Sequence, residues 1–215
     1  KLEKFMSGKP LAEQEIGFAL LQEVVAYAET SMSRRKFLLH YFGEEFDSET
    51  GEGADMDDNV RNPKTKIEAQ DQVKLLLEIV RDTKYLYKSK EICFTLIGRV
   101  NAMIKAHRTD SQSFFGKGSK FEERYWMALI RQVLVAGLLT KDIETYGILK
   151  VSDKGHEFIK KPTSFMMSED HEYNEAEDDA IVTAAKSSGT ADEMLMSMLR
   201  ALRKKVAKKL GVPPF

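Results

Sequence analysis

The stretch Gly116-Lys117-Gly118-Ser119-Lys120 sets two residues that permit tight turns beside two cations, a pairing suited to an anion such as a phosphate. A nucleotide-binding loop of the form G-x-x-x-x-G-K-[ST] needs Lys directly after its second glycine and an apolar strand before it. Here Ser119 follows Gly118 and no such strand precedes, so the loop is not read as an ATP site. Ser119 and Glu122 match the S-x-x-E capping box, which predicts a helix starting near Lys120. Its free amides and positive end would join Lys117 and Lys120 around one DNA backbone phosphate; the plain alternative is an exposed turn with ordinary lysines. Arg124 falls in the first turn of that helix. Arg131, seven positions on, shares its face, as a basic stripe or as a solvated face with salt bridges. Lys105 and Arg108 belong to an irregular basic stretch upstream. Lys141 and Tyr146 fall on a hairpin downstream, where Tyr146 either stacks on a base or packs on Trp126.

No catalytic constellation accompanies these cations. The four histidines (His40, His107, His156, His171) are scattered, without the HExxH spacing of a metal site. Cys93 lies in the apolar run EICFTLIG and reads as a core thiol, and the ten methionines read as core residues. Glu44 to Asp58 holds eight carboxylates and no Lys or Arg. An EF-hand begun at Asp47 would need Gly and Glu where Glu52 and Asp58 stand, so the run is expected to be a solvated loop.

Elements must hold these groups in place. Leu11, Phe18, Leu21, Val25 and Ala28 follow helical spacing after Pro10, and Ser31 can cap a second helix ended by Gly43, giving a helical hairpin. Val73, Leu76, Leu77 and Val80 mark a helix, Glu91–Ile97 a shorter one, and Tyr125, Leu129, Ile130, Val133 and Leu134 the apolar side of the capped one. Leu138–Ile143 and Ile148–Ser152 read as a β-hairpin around a turn at Glu144–Gly147. Helix, helix, capped helix, hairpin is a winged helix-turn-helix order. The fold class is therefore mainly α with a small β wing: a helical hairpin (1–63), a winged-helix domain (64–162), an acidic linker (163–190) and a final amphipathic helix (191–215). Net charge alternates along the chain, at −7 over 1–60, +8 over 61–162, −8 over 163–196 and +6 over 197–215. A basic block between acidic ones suits a nucleic-acid-binding segment of a larger machine, though salt-bridge pairing produces the same pattern. No apolar stretch reaches the roughly 18–20 residues that span a membrane. A single cysteine and the absence of a secretory leader point to a soluble protein of a reducing compartment.

The segments SRRKFLLHYFGE (33–44), SFFGKGSKFEERYW (113–126), IRQVLVAGLLTKDIETYGILKVSDKGHEFI (130–159) and LRALRKKVAKKLGVPPF (199–215) resemble, in order, the C-terminal half of the RecQ family of DNA helicases. The resemblance implies a zinc-binding-type hairpin, a RecQ C-terminal winged helix and the first helix of an HRDC domain. It also implies a parent 3′-to-5′ helicase of recombination and repair, whose ATP- and Mg2+-dependent motor lobes would precede Lys1. DNA contacts would then come from Phe114–Lys120, the start of the third helix and the wing, in a nucleoid-associated protein of the bacterial cytoplasm. The four cysteines usual in the hairpin read Ser33, Ala54, Asp57 and Val60 here, so zinc is expected to be absent. The hairpin would then rest on apolar packing alone, through Phe18, Leu21, Leu38, Leu39, Tyr41 and Phe42. The expected partner is duplex or forked DNA. Alternatives are a free-standing winged-helix transcription regulator, or a protein-docking module that receives an acidic tail such as that of a single-stranded-DNA-binding protein.

Overall fold

The computed structural model describes residues 8, 10–142, 147–171 and 191–210. It divides into two units, residues 1–171 and 172–215, each taken here by itself. In the first, α1 (Leu11–Glu29) and α2 (Arg34–Tyr41) form the helical hairpin. The cap of α2 is Ser33 rather than Ser31: its Oγ accepts from Lys36 N at 3.2 Å. Gly43, at φ +80, ends α2 in a left-handed turn in which Glu44 N donates to Leu39 O at 2.8 Å and Gly43 N to His40 O at 3.0 Å. A 3-10 turn (Ala54–Met56) and the single-turn α3 (Asp58–Arg61) close this part.

The core belongs to the winged helix. Helices α4 (Gln70–Asp82), α5 (Ser89–Ile97) and α7 (Glu123–Val135) surround a cluster of Val73, Leu76, Leu77, Val80, Leu96, Trp126 and Leu129, each with no solvent exposure. Between α5 and α7 lie the short α6 (Ala102–Ala106) and a 3-10 turn (Thr109–Ser111). The wing is β2 (Leu139–Asp142) paired antiparallel with β3 (Ile148–Val151). The segment before α5 adds a partial third strand, since Leu149 N donates to Tyr87 O and Lys88 bridges Ile148.

Two segments after the wing also depart from the sequence expectation. Ser152 does not end a strand but caps α8 (Asp153–Lys160), accepting from Gly155 N at 3.0 Å. Residues 163–171 are not linker. They form a strap that contains β4 (Met166–Ser168), antiparallel to β1 (Lys66–Glu68), with Met167 fully buried. The side-chain amide of Gln132 zips this strap to α7, donating to Ser168 O at 2.5 Å and accepting from Ser168 N at 3.1 Å. The rest of the expected linker, 172–190, lies outside the described residues. In the second unit, α9 (Ala191–Leu210) carries Leu195, Met198, Leu199, Leu202 and Val206 on an exposed stripe beside six basic residues.

Candidate nucleic-acid interface

The two glycines of the 116–120 turn are structural requirements rather than flexible joints. Gly116, at φ +77, donates its N–H to Thr95 O at 2.8 Å, and Gly118 donates to Leu96 O at 2.7 Å, so both are pinned to the C-terminal end of α5. Gly98, also left-handed, backs onto Gly116; a Cβ there would lie 3.3 Å from the Gly116 Cα. Gly118 has no room for a side chain either, since its Cβ would fall 2.6 Å from the Trp126 ring, whose Nε1 donates to Gly118 O at 3.0 Å. The backbone is thus held from two sides, and Lys117, between the pinned amides, projects into solvent. Lys120 is exposed too, its ammonium 5.8 Å from the centroid of the Phe121 ring.

Lys105 and Arg108 are exposed on the preceding segment, Arg108 in the left-handed conformation (φ +52) that residues with side chains seldom adopt. None of Lys105, Arg108, Lys117 and Lys120 is ion-paired with another described residue. Neighbouring Arg99 is less independent: it pairs with Glu123 at 3.3 Å and lies over the Phe94 ring.

The capping box does not form. Helix α7 starts at Glu123 with Glu122 as its N-cap and no side-chain cap bond, so two carboxylates stand at its positive end. The expected seat for an anion between Lys117, Lys120 and free helix amides is therefore not built. What remains is the pinned turn itself.

The other expected contacts turn inward. Arg131 is drawn into the protein, its side chain 12% exposed, where it pairs with Asp170 of the strap and, at 3.5 Å, with Glu29 of α1. Burial pulls its guanidinium below its ordinary value, and Glu29 opposes that. This corrects both readings of Arg131, because the residue occupies neither a basic stripe nor a solvated face. Arg124, though exposed, donates to the backbone carbonyl of His171. Lys141 on the wing pairs with Glu23 of α1. Helix α1 and the strap thus engage the third helix and the wing, through partners the local sequence could not name. Tyr146 lies outside the described residues.

Cys93 is fully buried among the α5 core residues, and burial pushes its thiol far above the ordinary range. It is a packing group and not a nucleophile. Tyr125 is likewise raised by burial, to about 12, and stacks on Phe121 at 4.2 Å between ring centroids.

The hairpin differs most from expectation. Phe18, Leu38, Tyr41 and Phe42 are 37, 45, 51 and 69% exposed, so they do not hold it together. Among the described residues of 1–63 the buried apolar ones are Ala26, Phe37 and Ala54, and Phe37 meets Tyr27 at 6.3 Å between ring centroids. Polar groups supply the rest. Arg34 pairs with Asp58 at 2.8 Å and donates to Tyr27 O at 2.7 Å; Arg61 donates to Asp55 O at 2.6 Å, and Arg35 to Glu52 O. The acidic stretch is therefore not a plain solvated loop. It wraps around three arginines, two of them the Arg34-Arg35 pair that opens α2.

A hairpin of this kind, followed by a winged helix with a short wing, defines a class, and comparison with known proteins gives its name. The RecQ zinc-binding family matches residues 1–57 and the RQC domain family matches residues 63–176. The chain belongs to the RecQ family and comprises its C-terminal zinc-binding-type and RQC regions. It is 24% identical over 220 residues to the ATP-dependent DNA helicase RecQ of Haemophilus influenzae, covering 100% of this chain and 34% of that protein. With the ATP-dependent DNA helicase RecQ of Pasteurella multocida it shares 23% over 218 residues, covering 100% and 33%. The chain thus spans about a third of the length of the curated relatives it matches. Its residues do not fit the zinc that the first family's name implies. Ala54 and Val60 have no donor atom, while the Ser33 hydroxyl and the Asp57 carboxylate are spent on each other at 2.8 Å.

Proposed function

We propose that this chain is the DNA-gripping part of a RecQ-like helicase, holding duplex or fork DNA by its phosphates during unwinding in recombination and repair. Of the seven described cations expected at DNA, four are exposed and unpaired on the segment between α5 and α7, and this observation carries the reading. Lys117 and Lys120, on a turn whose backbone is pinned, act as phosphate anchors at little ordering cost, with Lys105 and Arg108 as further contacts. Phosphate contacts carry no sequence information, so recognition is of structure and depends strongly on salt. ATP and Mg2+ serve motor lobes elsewhere in a longer polypeptide, and the protein works at the bacterial nucleoid. Among the described residues no helix is long and apolar enough to cross a membrane. An acidic tail of a single-stranded-DNA-binding protein would meet the same free cations and compete with DNA for them.

The test is the salt dependence of binding to a forked duplex. Replacing Lys117 and Lys120 by Ala should weaken binding and flatten the log–log slope by about 1.8, at roughly 0.9 per phosphate lost. An unchanged slope would refute the anchor role. Palindrome-specific binding by a dimer would instead favour a transcription regulator.

A further inference from the structure

We propose that Asp57 takes the place of a structural metal: a carboxylate-centred set of hydrogen bonds, built partly from the vacated ligand positions, closes the hairpin without zinc. A zinc held at positions 33, 54, 57 and 60 would tie the start of α2 to the 54–60 segment. Here the Asp57 side chain makes that tie. It is 8% exposed, and its Oδ2 accepts from Ser33 Oγ at 2.8 Å and from Arg35 N at 3.0 Å, while Oδ1 accepts from Asn59 N at 3.0 Å. One carboxylate thus receives amide N–H groups from the first turns of both α2 and α3, where negative charge is favoured by the helix dipoles. Three donors, two from backbone and one from a hydroxyl, thus meet this buried carboxylate.

The tie extends beyond one residue. Ser33 Oγ, while donating to Asp57, accepts from Lys36 N, so the same hydroxyl caps α2. The Asn59 side chain, 6% exposed with its residue, donates to Thr30 O at 2.8 Å and Met32 O at 2.7 Å, fastening the loop on its other side. His171 Nε2 lies 2.7 Å from Asn59 Oδ1, and this joins the closure to the strap. None of these links involves a thiolate, and the Asp57 oxygens and the His171 ring nitrogen that take part in them already hold hydrogen bonds. The chain's one cysteine, Cys93, is buried in the winged-helix core and supplies no thiolate here.

Two measurements on the 215-residue chain test this. After expression in zinc-supplemented medium, metal analysis should find far less than one zinc per chain, and excess EDTA should leave the unfolding midpoint unchanged. Stoichiometric zinc, or a midpoint that falls with chelator, would overturn the proposal. In the second, Asp57→Asn presents an amide donor to N–H groups that need an acceptor. Hydrogen exchange at the amides of Arg35, Lys36 and Asn59 should accelerate about tenfold or more, while amides of Leu76 and Leu129 in the core stay protected. Ser33→Ala should act in the same direction more weakly, and Ser33→Thr, which keeps the hydroxyl, should restore protection. A hairpin unfolded by Asp57→Asn beside a protected winged helix supports the same conclusion. Unchanged exchange at those three amides in both Asp57→Asn and Ser33→Ala would refute it.

Discussion

The cations of the 98–122 segment and those of the third helix and wing have the same chemistry and opposite fates. Lys105, Arg108, Lys117 and Lys120 stand in solvent, while Arg124, Arg131 and Lys141 hold the strap and α1 in place. In many winged helices the third helix enters a groove. In this chain the two basic side chains of that helix, Arg124 and Arg131, are bonded to the strap and α1. A basic residue on the expected face is thus poor evidence for a nucleic-acid contact until its neighbours are known.

Breaking the inward set should cost stability and leave the salt slope alone. Arg131→Ala strands Asp170, whose side chain is 2% exposed, and should cost about 3–5 kcal/mol, a fall in unfolding midpoint on the order of 10 °C. Gly118→Ala drives a methyl group onto Trp126 and should cost about 1–3 kcal/mol. Because it also displaces Lys117, DNA affinity measured in parallel should fall. Lys141→Ala breaks a partly exposed pair with Glu23 and should change stability by less than about 1 kcal/mol, with the slope of DNA affinity against salt unchanged. A flattened slope in that variant would move Lys141 to the outward set.

The smallest expected effect is a pH dependence at the strap. Burial first, then Lys64 and Arg34, hold the His171 imidazole below its ordinary value, with Asp58 opposing. On acidification the unfolded chain takes up the proton first. Stability should therefore decline as pH falls below about 6.5 and level off once the folded-state value is passed. His171→Gln should remove part of this slope in unfolding midpoints measured from neutral pH down. His40, lowered by burial and Lys36, keeps the remainder.

Local patterns succeeded where one element's own residues decide the outcome. The spacing of Val73, Leu76, Leu77 and Val80 announces α4, and all four are fully buried in it. The stripe expected on α1 failed because few groups pack against that helix: Phe18 and Val25 are exposed and Ala26 is buried instead. The capping box of Ser119 and Glu122 failed because hydrogen bonds to Thr95 and Leu96, and the Trp126 ring, hold 116–118 in a turn that displaces the helix start to Glu123. The strap looked like linker because its β4 is three residues long and pairs with a strand about a hundred positions earlier.

Residue types and periodicity by themselves determined the winged-helix order and the helical hairpin, and the family resemblance marked Ser33, Ala54, Asp57 and Val60 as positions without thiolates. Only the tertiary structure decided which cations face solvent and what closes the hairpin. The physical reason is range. Helical periodicity acts over a few residues, whereas Arg131 meets Glu29 across 102 positions and Lys141 meets Glu23 across 118. A charge is written in the chain, but its partner is chosen by the fold.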